Sequence, residues 1–212
     1  MVAENPAHNI LNIPLNVVVC RNIVILTEPV PTWITTAGGH KGKLIMQNLD
    51  STQDNRAENP LDIVEQMVEV NEWMFDRRSD QEMAVQVPGT WCDYSLYFAW
   101  NEEMEALHFT CAFDMRVADD QKPRVYELLA KVNDRLWLGH FSIWESEGLP
   151  MFRHALPLRS ARGPAIEQME DLVETAIIEC ERFYPAFQYV IWGGKDADEA
   201  ISSAMIDTVG EA

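Results

Sequence analysis

The sequence predicts an α+β fold, an antiparallel sheet with helices packed on one face, in the order α-β-β-β-α-β-β-α. Three observations predict it. Between Asn59 and the C-terminus, three stretches repeat apolar residues at helical spacing. Between them lie five runs in which apolar and polar residues alternate, as half-buried strands do. The strands come in groups joined by short polar turns, and such short joins connect only antiparallel neighbours.

The first helix is predicted over about 60–77. Asn59 is a good N-cap, Pro60 suits the first helical position, and Asp62 complements the dipole in the first turn. Val64, Met67, Val68, Met74 and Phe75 then recur on one face, and Arg77 and Arg78 look like a last turn. A three-strand meander follows, built from "EMAVQVPG", 90–100 and 107–117. The second helix spans about 120–136, with Pro123 in its first turn and Val125, Leu128, Leu129, Val132 and Leu136 as its apolar stripe. "WLGHFSIWESEGLPMFRHALPLR" reads as a second hairpin turning near Glu147-Gly148. Gly163-Pro164 opens the third helix, whose face carries Ile166, Met169, Val173, Ala176, Ile177 and Cys180. Pro185 should kink or restart it, and a short terminal helix is expected over about 196–206.

The central ribbon fixes its own register. One face of 90–100 carries Cys92, Tyr94, Leu96, Phe98 and Trp100, and one face of 107–117 carries Leu107, Phe109, Cys111, Phe113 and Met115. Both sets must share the core side, because a slip of one residue would expose them all. With Leu107 opposite Trp100, Cys111 faces Leu96. That leaves Cys92 roughly 13 Å away along the strand, too far for a disulfide, which needs Cα atoms within about 7 Å. His108 falls on the other face with Thr110, Ala112 and Asp114, so no Cys/His dyad can form within this ribbon.

Composition excludes further classes. The 212 residues include 34 acidic and 16 basic side chains, a net charge of −18. Such a field repels nucleic-acid backbones and anionic lipid. No apolar run reaches the length of a membrane span. Cys20, Cys92, Cys111 and Cys180 form no CxxC pair and read as free thiols of a cytoplasmic protein. Cys180 sits on the apolar stripe of its helix, where it packs rather than reacts. The acids at 102, 103 and 105 and at 145 and 147 read as solvated turns. There is no GxGxxG, P-loop, GxSxG or HExxH motif, so we expect no enzyme, no cofactor and no catalytic residue.

Residues 1–45 differ from the rest: three basic residues stand against two acidic, and no helical period is visible. A strand is possible over 16–26. Lys41-Gly42-Lys43 would be encoded by a purine-rich string of ribosome-binding type just before Met46. We therefore expect 1–45 to be a non-native or disordered extension, 46–58 a polar lead-in, and 59–212 the domain.

Two candidate sites emerge. Trp91 and Trp144 are assigned to the sheet face that also carries Tyr97 and either His108 or His140, and large aromatics on a partly polar face suggest a contact surface. Trp91, Tyr97, Trp144 and Arg153 are the expected protein contacts, with Arg116 placed opposite Trp91 to pair with its ring or with Asp93. The alternative is a small-molecule or metal site using His108, His140 and His154; their spacing is not that of metal ligands.

"NPLDIVEQ", "WCDYSLYFAW", "LHFTCAFDMRV", the second hairpin and "ECERFYPAFQYVIWGGKDADEAISSAMIDTVGEA" resemble the YbjN-domain proteins of alphaproteobacteria. The resemblance runs from about 57 to 212, and residues 1–45 have no counterpart in it. It implies a fold similar to type III secretion chaperones, and a non-enzymatic regulator linked to stress, motility and surface behaviour. It offers no catalytic residue. On this reading the protein binds a client protein, chaperone-like, and forms a homodimer.

Overall fold

A computed structural model describes the backbone strands β1 (Val17–Cys20) and β2 (Ile23–Leu26) and residues 59–159 and 164–209. β1 and β2 pair antiparallel, Val17 opposite Leu26, as a unit of their own. The sequence offered a strand here without a partner; the partner is the same run folded on itself. Apart from these strands, the expectations for 1–45 and 46–58 lie outside the described residues.

The main unit holds α1 (Pro60–Val70), β3 (Met74–Ser79), β4 (Glu82–Pro88), β5 (Asp93–Asn101), β6 (Ala106–Ala112), α2 (Lys122–Asn133), β7 (His140–Trp144), β8 (Leu149–Pro157), α3 (Ile166–Ile191) and α4 (Ala197–Val209). The six strands form one antiparallel sheet in the order β3-β4-β5-β6-β8-β7. The order is thus α-β-β-β-β-α-β-β-α-α, with one more strand than the sequence pattern suggested.

The extra strand comes from a shorter first helix. Asn59 caps α1 as expected, its side chain accepting from Leu61 N–H at 3.0 Å. The helix stops at Val70 because Asn71 bonds back to the Met67 carbonyl through its side chain, 2.8 Å, and Glu72 turns left-handed at φ 56°. Met74 and Phe75, which prolong the helical stripe in sequence, enter β3 instead. Arg77 and Arg78 are strand residues, not a helix end. The Arg77 guanidinium returns to α1, where it pairs with Asp62 at 2.7 Å and with Glu65, locking the strand to the helix.

The ribbon follows the predicted register. Leu96 opposes Cys111 and Trp100 opposes Leu107. Met83, Val85, Tyr94, Leu96, Phe98, Leu107, Phe109 and Cys111 form the helix-facing side and are buried. Phe113 and Phe141 complete it with Phe183 and Phe187 of α3, in edge and tilted contacts 5.1–5.9 Å between centroids. Burial of such side chains, each about 1.5–3 kcal/mol, holds the helices to this face.

α3 does not break at Pro185; it runs 26 residues through it. Proline lacks the N–H that would satisfy the carbonyl four residues earlier, that of Glu181. The indole N–H of Trp91 takes that place, donating to Glu181 O at 3.1 Å. Among the described residues, no helix is long and apolar enough to cross a membrane.

Candidate functional site

The sheet face turned away from the helices carries Tyr97, His108, Thr110, Ser142, Trp144 and Arg153. Register brings them together: Tyr97 opposes Thr110, Thr110 opposes Arg153, and Arg153 opposes His140 on the edge strand β7. Ser142 stands one step along β7, diagonal to Arg153. His108 and Arg153 are 45 residues apart in sequence and meet because β8 pairs with β6.

Arg153 is the centre of the group. It is half-buried, and its Nη2 lies 3.1 Å from Nε2 of His108. A guanidinium has only donors, so His108 must present the Nε2 lone pair and carry its proton on Nδ1. Burial first, then the Arg153 and His140 charges, lower the His108 pKa to about 4. The ring is neutral at pH 7. His140 is lowered by its own burial and by Arg153. Among the described residues, three polar atoms on this face are buried without a hydrogen-bond partner: the Tyr97 hydroxyl, Arg153 Nε and Ser142 Oγ.

The four expected contact residues do not all lie on one face. Trp144 and Arg153 share this face. Tyr97 lies on it but is only 6% exposed, and its phenol, beside Glu82, is raised in pKa by burial. Trp91 precedes β5 rather than belonging to it. Its ring stacks on Tyr184 of α3, 6.1 Å and 6° between planes, and its N–H goes to Glu181. Trp91 is therefore a helix contact, away from Tyr97. Arg116, expected against Trp91 or Asp93, bonds the Glu147 carboxylate at 2.9 Å and the Glu147 carbonyl at 3.0 Å.

The three histidines also separate. His108 and His140 belong to the outer face. His154, one residue beyond Arg153, points with Phe152 and Leu156 to the helix side, where it lines a groove of about 190 Å³ with Leu138, Gln168, Asp171 and Thr175. Among the described residues, no group of three or more His, Cys, Asp or Glu side chains could hold a metal.

The thiols lie on the helix side. Cys111 and Cys180 are fully buried, with sulfurs 3.5 Å apart. Cys92 is half-buried, its pKa raised to about 11 chiefly by desolvation. All three are free. Sequence spacing separated Cys180 from Cys111 by 69 residues and carried no signal of this contact.

At the opposite edge, β3 pairs only with β4 among the described residues and exposes Met74 and Phe75.

Residues 60–189 match the YbjN family, described as "Putative bacterial sensory transduction regulator". A crystal structure of YbjN from E. coli, "a putative transcription regulator", aligns at 13% identity with a TM-score of 0.38, covering 71% of this chain and 91% of that chain. No curated protein matches.

Proposed function

The chain belongs to the YbjN family, and we propose that it works as a non-enzymatic regulator that binds a client protein in the cytoplasm, chaperone-like, as a homodimer. The observation that carries the reading is the open edge of the sheet. Among the described residues no strand lies beyond β3, and Met74 on it is 61% exposed. An edge strand with exposed apolar side chains accepts an extended segment by adding a strand, main-chain bonds giving affinity and side chains giving choice. The likeness to type III secretion chaperones belongs to this proposal, as does the contact role of Trp144 and Arg153 near the other edge. A net charge of −18 favours basic clients and resists self-aggregation.

Affinity purification from the native host, with mass spectrometry of co-purifying proteins, tests it. Met74→Lys should weaken client recovery through the β3 edge, and Trp144→Ala through the β7 edge, while the unfolding midpoint stays near wild type. A client set identical for wild type and both variants overturns the reading. Light scattering at defined concentration tests the dimer.

A further inference from the structure

We propose that Arg153, Ser142 and His140 form a binding site for a small carboxylate on the outer face of the sheet, with His108 holding the arginine in place. This site shares Arg153 with the proposed client contacts, and its test with a small anion needs no client.

The first argument is electrostatic. In a chain with 34 acidic residues, most described cations have found one. Arg77, Arg78, Arg116, Lys122, Lys131, Arg159, Arg182 and Lys195 each pair with a carboxylate. Arg124 and Arg135 do not, and they are solvent-exposed. Arg153 is different: half-buried, without an ion pair among the described residues, and hydrogen-bonded to a neutral imidazole. A partly desolvated guanidinium is stabilised most by a planar oxyanion matching its fork.

The second argument is the donor inventory. Arg153 Nε and Ser142 Oγ are both shut off from bulk water and, among the described residues, both lack a partner. An orphaned buried donor loses its water without gaining a partner, and native proteins leave few of them. The two belong to adjacent strands at diagonal positions, His140 pairing with Arg153 and Ser142 with Met151. Such neighbours lie about 7–8 Å apart at Cα, within reach of long side chains. An oxyanion between them accepts from both. His140, opposite Arg153 on the edge strand, adds a ring N–H.

The third argument selects the ligand. The field of the whole chain opposes multiply charged anions, so a monoanionic carboxylate is favoured over phosphate dianion or polyphosphate. His108 fixes the fork by accepting from Nη2, leaving the remaining N–H groups free for the ligand.

The test is a titration of the full-length protein at constant ionic strength with acetate, with inorganic phosphate and with chloride, following the imidazole C–H resonances of His108 and His140 by NMR. The expected result is saturable movement of both resonances with acetate, and weaker or no saturation with phosphate and chloride. Arg153→Met should weaken binding by at least about tenfold. Ser142→Ala should weaken it less, and it retains the arginine, so it keeps the test decisive if Arg153→Met unfolds. No saturable movement with acetate, saturation by phosphate alone, undiminished acetate binding in a folded Arg153→Met, or, where that variant unfolds, undiminished binding in Ser142→Ala overturns the site.

Discussion

The indole N–H of Trp91 donates to the carbonyl oxygen of Glu181 at 3.1 Å, filling the helical hydrogen bond that Pro185 cannot make. The loop before β5 thus closes the one gap in α3. Thr90 N–H adds a bond to the Glu181 carboxylate at 2.6 Å.

The pair predicts non-additivity. Trp91→Phe keeps an aromatic ring over Tyr184 but leaves the carbonyl without its donor, so stability should fall by about 1 kcal/mol. In a Pro185→Ala background the alanine N–H returns the ordinary i to i−4 bond, and the same Trp91→Phe change should cost less. Urea midpoints of the four proteins give the coupling directly. Equal losses in both backgrounds would remove the capping role from Trp91.

Burial governs the thiols. Cys111 and Cys180 have no solvent exposure, and desolvation raises the pKa of Cys180. Cys92 is pushed up to about 11. Thiolate is the reactive form, so iodoacetamide at pH 8 should leave Cys111 and Cys180 unmodified and label Cys92 slowly. All three should react once the chain is unfolded. Peptide mass spectrometry reads each cysteine separately; rapid native labelling of Cys111 would mean the sheet is not sealed as described.

His108 gives a pH dependence of known sign. Its pKa falls from 6.5 to about 4 on folding. The unfolded chain therefore binds the proton first, and stability is full above pH 6.5 and is lost as pH falls toward 4. The charged or titratable groups facing the ring are Arg153 on β8 and His140 on β7, and His140 adds loss of the same sign. His108→Gln keeps an acceptor for Arg153 and removes the titration. The slope of stability between pH 6.5 and 5 should drop by up to about 1.4 kcal/mol per pH unit, as read from urea midpoints. An unchanged slope would place the ring in water.

Gly148 is the tight point of the second hairpin. Its φ is +65°, and a Cβ there would sit 2.4 Å from the Val117 carbonyl oxygen. Gly194 shares the conformation, φ +66°, but a Cβ would meet nothing closer than Arg124 at 3.8 Å. Gly194→Ala should cost about 1 kcal/mol, the left-handed backbone alone. Gly148→Ala should cost clearly more, since the Val117 segment must move; Val117 N–H bonds Gly148 O at 2.8 Å. Thermal midpoints of the two variants make the comparison, and equal shifts would show that the close approach is not felt.

Much of the frame was legible in the residues. Alternation in β5 and β6 was enough to pair Leu96 with Cys111, because only one register buries both apolar rows. The caps and stripes of α1, α2 and α3 placed each helix start within a few residues. The end of α1 was not legible: Met74 and Phe75 continue its period, and only pairing with β4 draws them into a strand. The candidate site was half visible. The sequence singles out Arg153 and His108, but alternation puts Trp91 beside the wrong neighbours because Trp91 precedes β5, which starts at Asp93.

What the sequence determined by itself are the local terms: periodicity, capping, turn chemistry and the sign of the overall charge. These depend on neighbours a few residues away, and they specify the α+β class and the faces of the ribbon. Tertiary structure alone decided which distant groups meet. The order β6-β8-β7 brings Arg153 between His108 and His140, and the packing of α3 brings Trp91 to the carbonyl that Pro185 strands. The physical reason is that a buried donor or acceptor needs a partner of any origin, and only the folded chain determines which one is within reach.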